Sequence, residues 1–131
     1  MTDRFYRTDG KIEKCTNLGS YCGGTFKGIE AKLDYIAGMG FDAIWISPIP
    51  VNDIHDYHGY GALDWENINP YFGSEDDLHS LISTAHSKDI WVMLDVVANH
   101  STYWTTDFSN INPLNKSEYY HQKCDISDWN N

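Results

Sequence analysis

Long apolar runs are missing from this chain, and so is positive charge. No stretch of its 131 residues approaches the ~18 consecutive apolar residues of a membrane-spanning helix. Nine Lys and Arg stand against nineteen Asp and Glu, a formal net charge of −10 at pH 7. Nucleic acid and anionic membrane surfaces are therefore poor partners, since both repel an acidic protein. The opening residues, Met1 to Gly10, are polar and charged, so no signal peptide is expected there. Gly23-Gly24 and the Gly38/Gly40 pair lack the rest of any phosphate-loop fingerprint. No Gly-x-Ser-x-Gly elbow supports a serine hydrolase. Internal repeats and low-complexity segments are absent too.

Aromatic residues are plentiful by contrast. They make up 15% of the chain, with five Trp and nine Tyr, although the mean hydropathy is −0.50. Most of them must pack a core. The remainder suit an uncharged ligand such as a sugar, because aromatic rings offer flat apolar faces with polar rims. Cysteines number three. Cys15 and Cys22 bracket a short loop with a turn-forming Gly19 and could form a local disulfide, worth roughly 2–3 kcal/mol by chain entropy. Cys124 is then odd: either a buried free thiol or half of a bridge whose partner lies elsewhere. Asn99-His100-Ser101 and Asn115-Lys116-Ser117 fit the glycosylation pattern.

Periodicity orders the middle of the chain. Residues 1–24 read as loop. Ile29, Leu33, Ile36 and Met39 form one helical stripe that ends at Gly38 and Gly40. Residues 41–46 read as a short strand stopped by Pro48 and Pro50. The segment from Ser47 to Gly73 has no clear period, and loops that long within a domain are usually functional. Ser74 caps a second helix carrying Leu78, Leu81, Ile82 and Ala85. Residues 90–97 then give a strand apolar enough to be buried on both faces. Helix, strand, loop, helix, strand predicts a parallel sheet. Two such strands cannot close a barrel or protect their own edges, so the architecture calls for more chain.

The stretch Trp91–His100 carries the most chemistry. An apolar strand holds one carboxylate, Asp95, and delivers Asn99 and His100 at its end. A carboxylate there is expensive unless partners await it. Polar groups at the C-terminal end of a parallel strand sit where barrel enzymes do their chemistry. If the two strands are neighbours, ~4.8 Å apart, His58 in the loop after the first and His100 after the second share one rim. Asp56, Tyr57 and Tyr60 lie close by in sequence. His79 and His86 belong to the solvated face of the second helix, and the sequence assigns no role to His55 or His121. The spacing of His58, His100 and a carboxylate matches no local zinc motif. The Asn99 amide oxygen suits a hard cation such as calcium, but one oxygen falls far short of the six to eight needed.

At this point the residues resemble a known family. Asp95-Val96-Val97-Ala98-Asn99-His100 is similar to the first signature region of the α-amylase family of glycoside hydrolases. Four further segments agree in order: Thr2-Asp3-Arg4-Phe5, Tyr21-Cys22-Gly23-Gly24-Thr25, Gly40 to Pro48, and Tyr57-His58-Gly59-Tyr60. The detail most resembles secreted enzymes of fungal type, through nearly the whole chain and fading after about Tyr120. The resemblance implies a partial (β/α)₈ TIM barrel, from the end of strand 1 to strand 3, running into an inserted subdomain B. Residues 1–98 would belong to the barrel and 99–131 to the start of that subdomain.

The family hydrolyses internal α-1,4 links of starch and glycogen with retention, using a nucleophile and an acid about 5–5.5 Å apart. In the family those carboxylates come from later strands, so the resemblance implies no catalytic residue here; Asp56, Asp64, Glu66 and Asp95 are not their counterparts. It implies that His58 and His100 bond sugar hydroxyls and that Tyr60 stacks on the sugar ring. It further implies that Asp95 organises the polar network below, that Asn99 is a calcium ligand, and that Cys15 pairs with Cys22. Cys124 would pair beyond Asn131. The partners implied are starch, glycogen and maltooligosaccharides, with a monomeric, extracellular full-length protein whose signal peptide precedes Met1. Gly61 departs from the family pattern, which usually has Trp after Tyr-His-Gly-Tyr. The cysteine-bounded loop is also short and lacks a polar Gln. Related expectations are an α-glucan transglycosylase, an α-1,6-glucosidase, or a non-catalytic glucan-binding remnant.

Overall fold

A computed structural model describes residues 1–105 and 107–121. Its elements are α1 (Thr2–Phe5), α2 (Phe26–Glu30), α3 (Leu33–Gly38), β1 (Ala43–Ile46), β2 (Pro50–Asn52), β3 (Ala62–Ile68), α4 (Glu75–His86) and β4 (Trp91–Leu94), followed by 3₁₀ turns at Phe108–Asn110 and Ser117–Tyr119.

β1 and β4 pair in parallel, Ala43 opposite Trp91 and Ile46 opposite Leu94, as the helix–strand alternation predicts. α4 starts where Ser74 predicts it. The Ser74 hydroxyl accepts from the Asp77 backbone at 3.1 Å, and the Asp77 carboxylate accepts from the Ser74 N–H at 2.9 Å. This reciprocal capping box satisfies two donors that the first turn cannot pair internally. Leu78, Leu81 and Ala85 face inward and join Phe26, Ile29, Leu33, Ile36, Ile46, Phe72 and Ile90 in one core between the helices and the strand pair. Burying a Leu- or Phe-sized side chain stabilises by roughly 1.5–3 kcal/mol, so this cluster is the main cohesive term.

Polar groups also fasten α2 to α4. The Glu30 carboxylate accepts from Lys27 Nζ at 3.1 Å and from the hydroxyls of Ser80 and Thr84, both at 2.9 Å. Burial pushes the Glu30 carboxyl up, but the bonds from Ser80, Lys27 and Thr84 outweigh it and hold it below its ordinary value.

The structure corrects four readings of the sequence. The N-terminal stretch is not all loop, for Thr2–Phe5 forms one helical turn. The buried Asp3 carboxylate accepts from Arg4, from Cys22 N at 2.9 Å and from Gly23 N at 3.1 Å. The single stripe from Ile29 to Met39 is two helices, because the backbone leaves helical geometry at Lys32 (φ −113°, ψ 8°). Gly28 lies so close to the Tyr6 carbonyl that a Cβ there would overlap it, which pins α2 to the N-terminal segment. Met39 is exposed.

Ser47–Gly73 is not structureless either: β2 and β3 form an irregular antiparallel pair, Asn52 opposite Ala62. Finally, β4 ends at Leu94, three residues short of the strand end read from the sequence. Ile46 is buried and Val92 half-buried towards the helices, whereas Trp45, Trp91 and Met93 are exposed. Beyond Ile46, whose carbonyl accepts from the Asp95 N–H at 3.1 Å, Ser47-Pro48 carries the first strand away. Proline offers no N–H with which to continue the ladder.

Candidate sugar-binding site

The two strand ends open on one rim, and the loops that follow them meet there. After β4 the chain returns to β3: Thr102 N donates to Ala62 O at 3.1 Å and Asn112 N to Leu63 O at 2.8 Å. The Asn112 amide also donates to Asp64 Oδ1 at 2.8 Å, and Ile111 is buried. Thr102 and Asn112 are thereby tied to β3, and His100 lies beside the loop containing His58.

Tyr60 is the centre of the cluster. Its backbone N–H donates to His58 Nδ1 at 3.0 Å, and its carbonyl accepts from His100 Nε2 at 3.0 Å. Its hydroxyl donates to Asp95 Oδ2 at 2.9 Å. The Tyr60 and His58 rings lie face to face, with centroids 5.4 Å apart and an interplanar angle of 25°. Sequence reasoning expected His58 and His100 on one rim, and the structure brings both against the same residue. The hydrogen bond to Asp95 raises the Tyr60 hydroxyl above its usual value, and partial burial adds to the effect. The Tyr60 ring stays substantially exposed. Trp45, Ser47, His58, Tyr60 and Asp95 line an open recess at this rim.

Asp95 stands just past the end of β4, half-buried, with Tyr60 as its partner. The carboxylate fully buried beside the site is Asp56 instead. Its Oδ2 accepts from Trp104 Nε1 at 3.1 Å, and its Oδ1 lies 3.4 Å from His58 Nε2. Sequence reasoning placed Asp56 near the histidines but did not foresee its burial or the link to Trp104. The adjacent Gly61 was the available signal, since a Cβ there would fall inside the Asp56 carboxylate.

Asn99 turns its amide nitrogen to His100 Nδ1 at 3.1 Å. Its Oδ1 accepts no hydrogen bond among the described residues, which fits one oxygen ligand of a calcium ion. No group of three or more His, Cys, Asp or Glu among the described residues is arranged to hold a metal. Cys15 and Cys22 are joined as a disulfide with Cα atoms 5.6 Å apart, inside the usual range. Cys124 lies outside the described residues.

A parallel strand pair backed by helices, with aromatic and imidazole groups at its C-terminal rim, is the arrangement of a barrel enzyme wall. The comparisons identify which kind. The family described as alpha amylase, catalytic domain, matches residues 1–130, and the chain belongs to it. It is 50% identical to alpha-amylase 3 of Schizosaccharomyces pombe over 98% of its length, while covering 25% of that relative. The solved α-amylase of Malbranchea cinnamomea superposes on the whole chain with a TM-score of 0.92 at 41% identity; 30% of that structure is covered. The α-amylase of Geobacillus thermoleovorans, solved with acarbose, superposes with a TM-score of 0.85 at 42% identity, with 100% and 28% covered. The chain thus spans about a quarter to a third of the length of these relatives, and its parallel pair is part of a (β/α)₈ barrel.

Proposed function

We propose that this chain is the N-terminal part of an α-amylase that cleaves internal α-1,4-glucosidic bonds of starch and glycogen with retention of configuration. The observation that carries the proposal is the His58–Tyr60–His100–Asp95 cluster, seated at the rim of a family-matched barrel wall. His58 and His100 belong to the sugar-binding wall around Tyr60, which presents its ring to the sugar held at the cleavage point. Asp95 anchors the Tyr60 hydroxyl. The nucleophile and the general acid come from later parts of the protein. Residues 1–98 belong to the barrel and 99–131 begin the inserted subdomain.

Asn99 contributes one oxygen to a calcium ion that ties this segment to later ligands; calcium supplies structural cross-linking there. The protein is secreted and monomeric; the Cys15–Cys22 bridge supports secretion, since disulfides persist in oxidising compartments. Among the described residues no helix is long and apolar enough to cross a membrane.

The test compares the protein as its gene encodes it with the 131-residue chain alone, using soluble starch and maltoheptaose with anomeric configuration followed by NMR. The encoded protein is expected to release shorter α-anomeric maltooligosaccharides, and the chain alone none. Hydrolysis by the mass-verified chain alone would overturn the assignment of the carboxylates to later segments. Transfer products would indicate a transglycosylase, cleavage confined to α-1,6 links an α-1,6-glucosidase, and binding without turnover a glucan-binding remnant.

A further inference from the structure

Beside the Tyr60 cluster the chain buries a carboxylate that the proposed function leaves without work. Asp56 is 0% exposed, and its Oδ1 has no hydrogen-bond partner among the described residues. Burying such a group is costly unless something is gained by it. Its surroundings show what it orients. His58 Nδ1 is occupied as an acceptor by the Tyr60 N–H, so the ring proton sits on Nε2, the atom 3.4 Å from Asp56 Oδ1. The second oxygen takes the indole N–H of Trp104 at 3.1 Å. One carboxylate therefore faces both His58 and Trp104. Gly61 makes room for it, since any Cβ at that position would overlap the carboxylate.

Trp104 is held in an unusual way for a packing residue. Its polar edge is tied to a buried acceptor, yet 49% of the residue is exposed. The Tyr103 ring, on a residue 71% exposed, lies 4.5 Å from it, and the His55 ring flanks it at 5.1 Å. The indole is thus oriented by a buried acceptor at its polar edge, with two further rings beside it. A continuous chain of contacts runs from Tyr60 through His58 and Asp56 to Trp104, linking the indole to the ring already assigned to a sugar.

We propose that Trp104 is a further sugar-stacking residue that receives a glucosyl ring next to the one on Tyr60, with Asp56 as the positioning residue that sets its plane. The inference rests on the α-glucan reading above. The net charge of −10 argues against an anionic occupant, whereas an aromatic face suits the C–H face of an uncharged hexose.

The experiment uses the gene-encoded protein with maltotriose and maltoheptaose. Trp104→Ala is expected to raise KM for maltoheptaose about tenfold, with kcat and the maltotriose KM little changed. Trp104→Phe keeps an aromatic face and is expected to stay within about threefold of wild type. Asp56→Asn keeps an acceptor for the indole and should behave like Trp104→Phe, whereas Asp56→Ala should approach Trp104→Ala. Unchanged kinetics in Trp104→Ala would overturn the inference and leave the α-amylase reading intact. So would equal losses on both substrates with Phe no better than Ala, which would mean that Trp104 only supports the fold. A wild-type protein that neither binds nor cleaves either sugar would sink both readings.

Discussion

The hydroxyl of Tyr60 donates to Asp95 Oδ2 at 2.9 Å, joining the β2–β3 loop to the residue just past β4 across 35 positions of sequence. The bond fixes the azimuth of an otherwise exposed ring. It separates two contributions of Tyr60, the stacking face and the anchoring hydroxyl. Tyr60→Phe should keep the face and lose one bond to a carboxylate, about 1 kcal/mol at this exposed position. Tyr60→Ala should lose the face as well and reduce kcat/KM on maltooligosaccharides by at least about tenfold. Steady-state kinetics on the encoded protein check this. Equal losses in Phe and Ala would show that the hydroxyl, not the ring, is the working group.

Glu30 predicts a pH dependence of stability. Its carboxyl is held below the ordinary value of 4.5 by Ser80, Lys27 and Thr84. A depressed folded-state value means that the charged form is favoured by folding. The contribution is therefore complete above the unfolded value and is lost as pH falls through the folded one. Denaturant midpoints measured from pH 6 down to pH 3 should fall less steeply in Glu30→Gln than in wild type. Parallel curves would show that the α2–α4 contact does not depend on this charge.

What the sequence disclosed, and what it hid, follows from how local each signal is. The α4 start was legible because Ser74 and Asp77 cap it within three residues, and the apolar spacing behind them is helical. The parallel pairing of β1 with β4 was legible from two apolar runs separated by one helix. The β2–β3 pair was not, because its register is interrupted by bulges and Pro50 opens it. The break at Lys32 has no Gly or Pro to announce it. At the site, His58, Tyr60, His100 and Asp95 were readable from strand ends and motifs. The burial of Asp56 was not, because Trp104 approaches it from 48 residues away.

The Cys15–Cys22 bridge closes a small loop whose Cys22 N–H also donates to the buried Asp3 at 2.9 Å. Replacing both cysteines by Ser should cost roughly 2–3 kcal/mol of stability by chain entropy. Asp3 should stay in place, because its acceptors bind backbone N–H groups that Ser also provides. A denaturant titration of the double variant checks the cost. A change below about 0.5 kcal/mol would mean that the Asp3 contacts alone hold the loop closed.

Gly61 offers the sharpest structural test, because its lack of a side chain is coupled to one partner. A Cβ at 61 would fall inside the Asp56 carboxylate, which in turn holds the Trp104 indole. Gly61→Ala should therefore destabilise the protein by about 1–3 kcal/mol through overpacking. Asp56→Ala should cost a similar amount by leaving the indole N–H without its acceptor. If the two residues share one volume, the double variant Asp56→Ala/Gly61→Ala should be more stable than the sum of the single losses by about 1 kcal/mol or more. Chemical denaturation of the four proteins closes that cycle. Strict additivity would show that the backbone at Gly61, rather than the Asp56 carboxylate, is what forbids a side chain there.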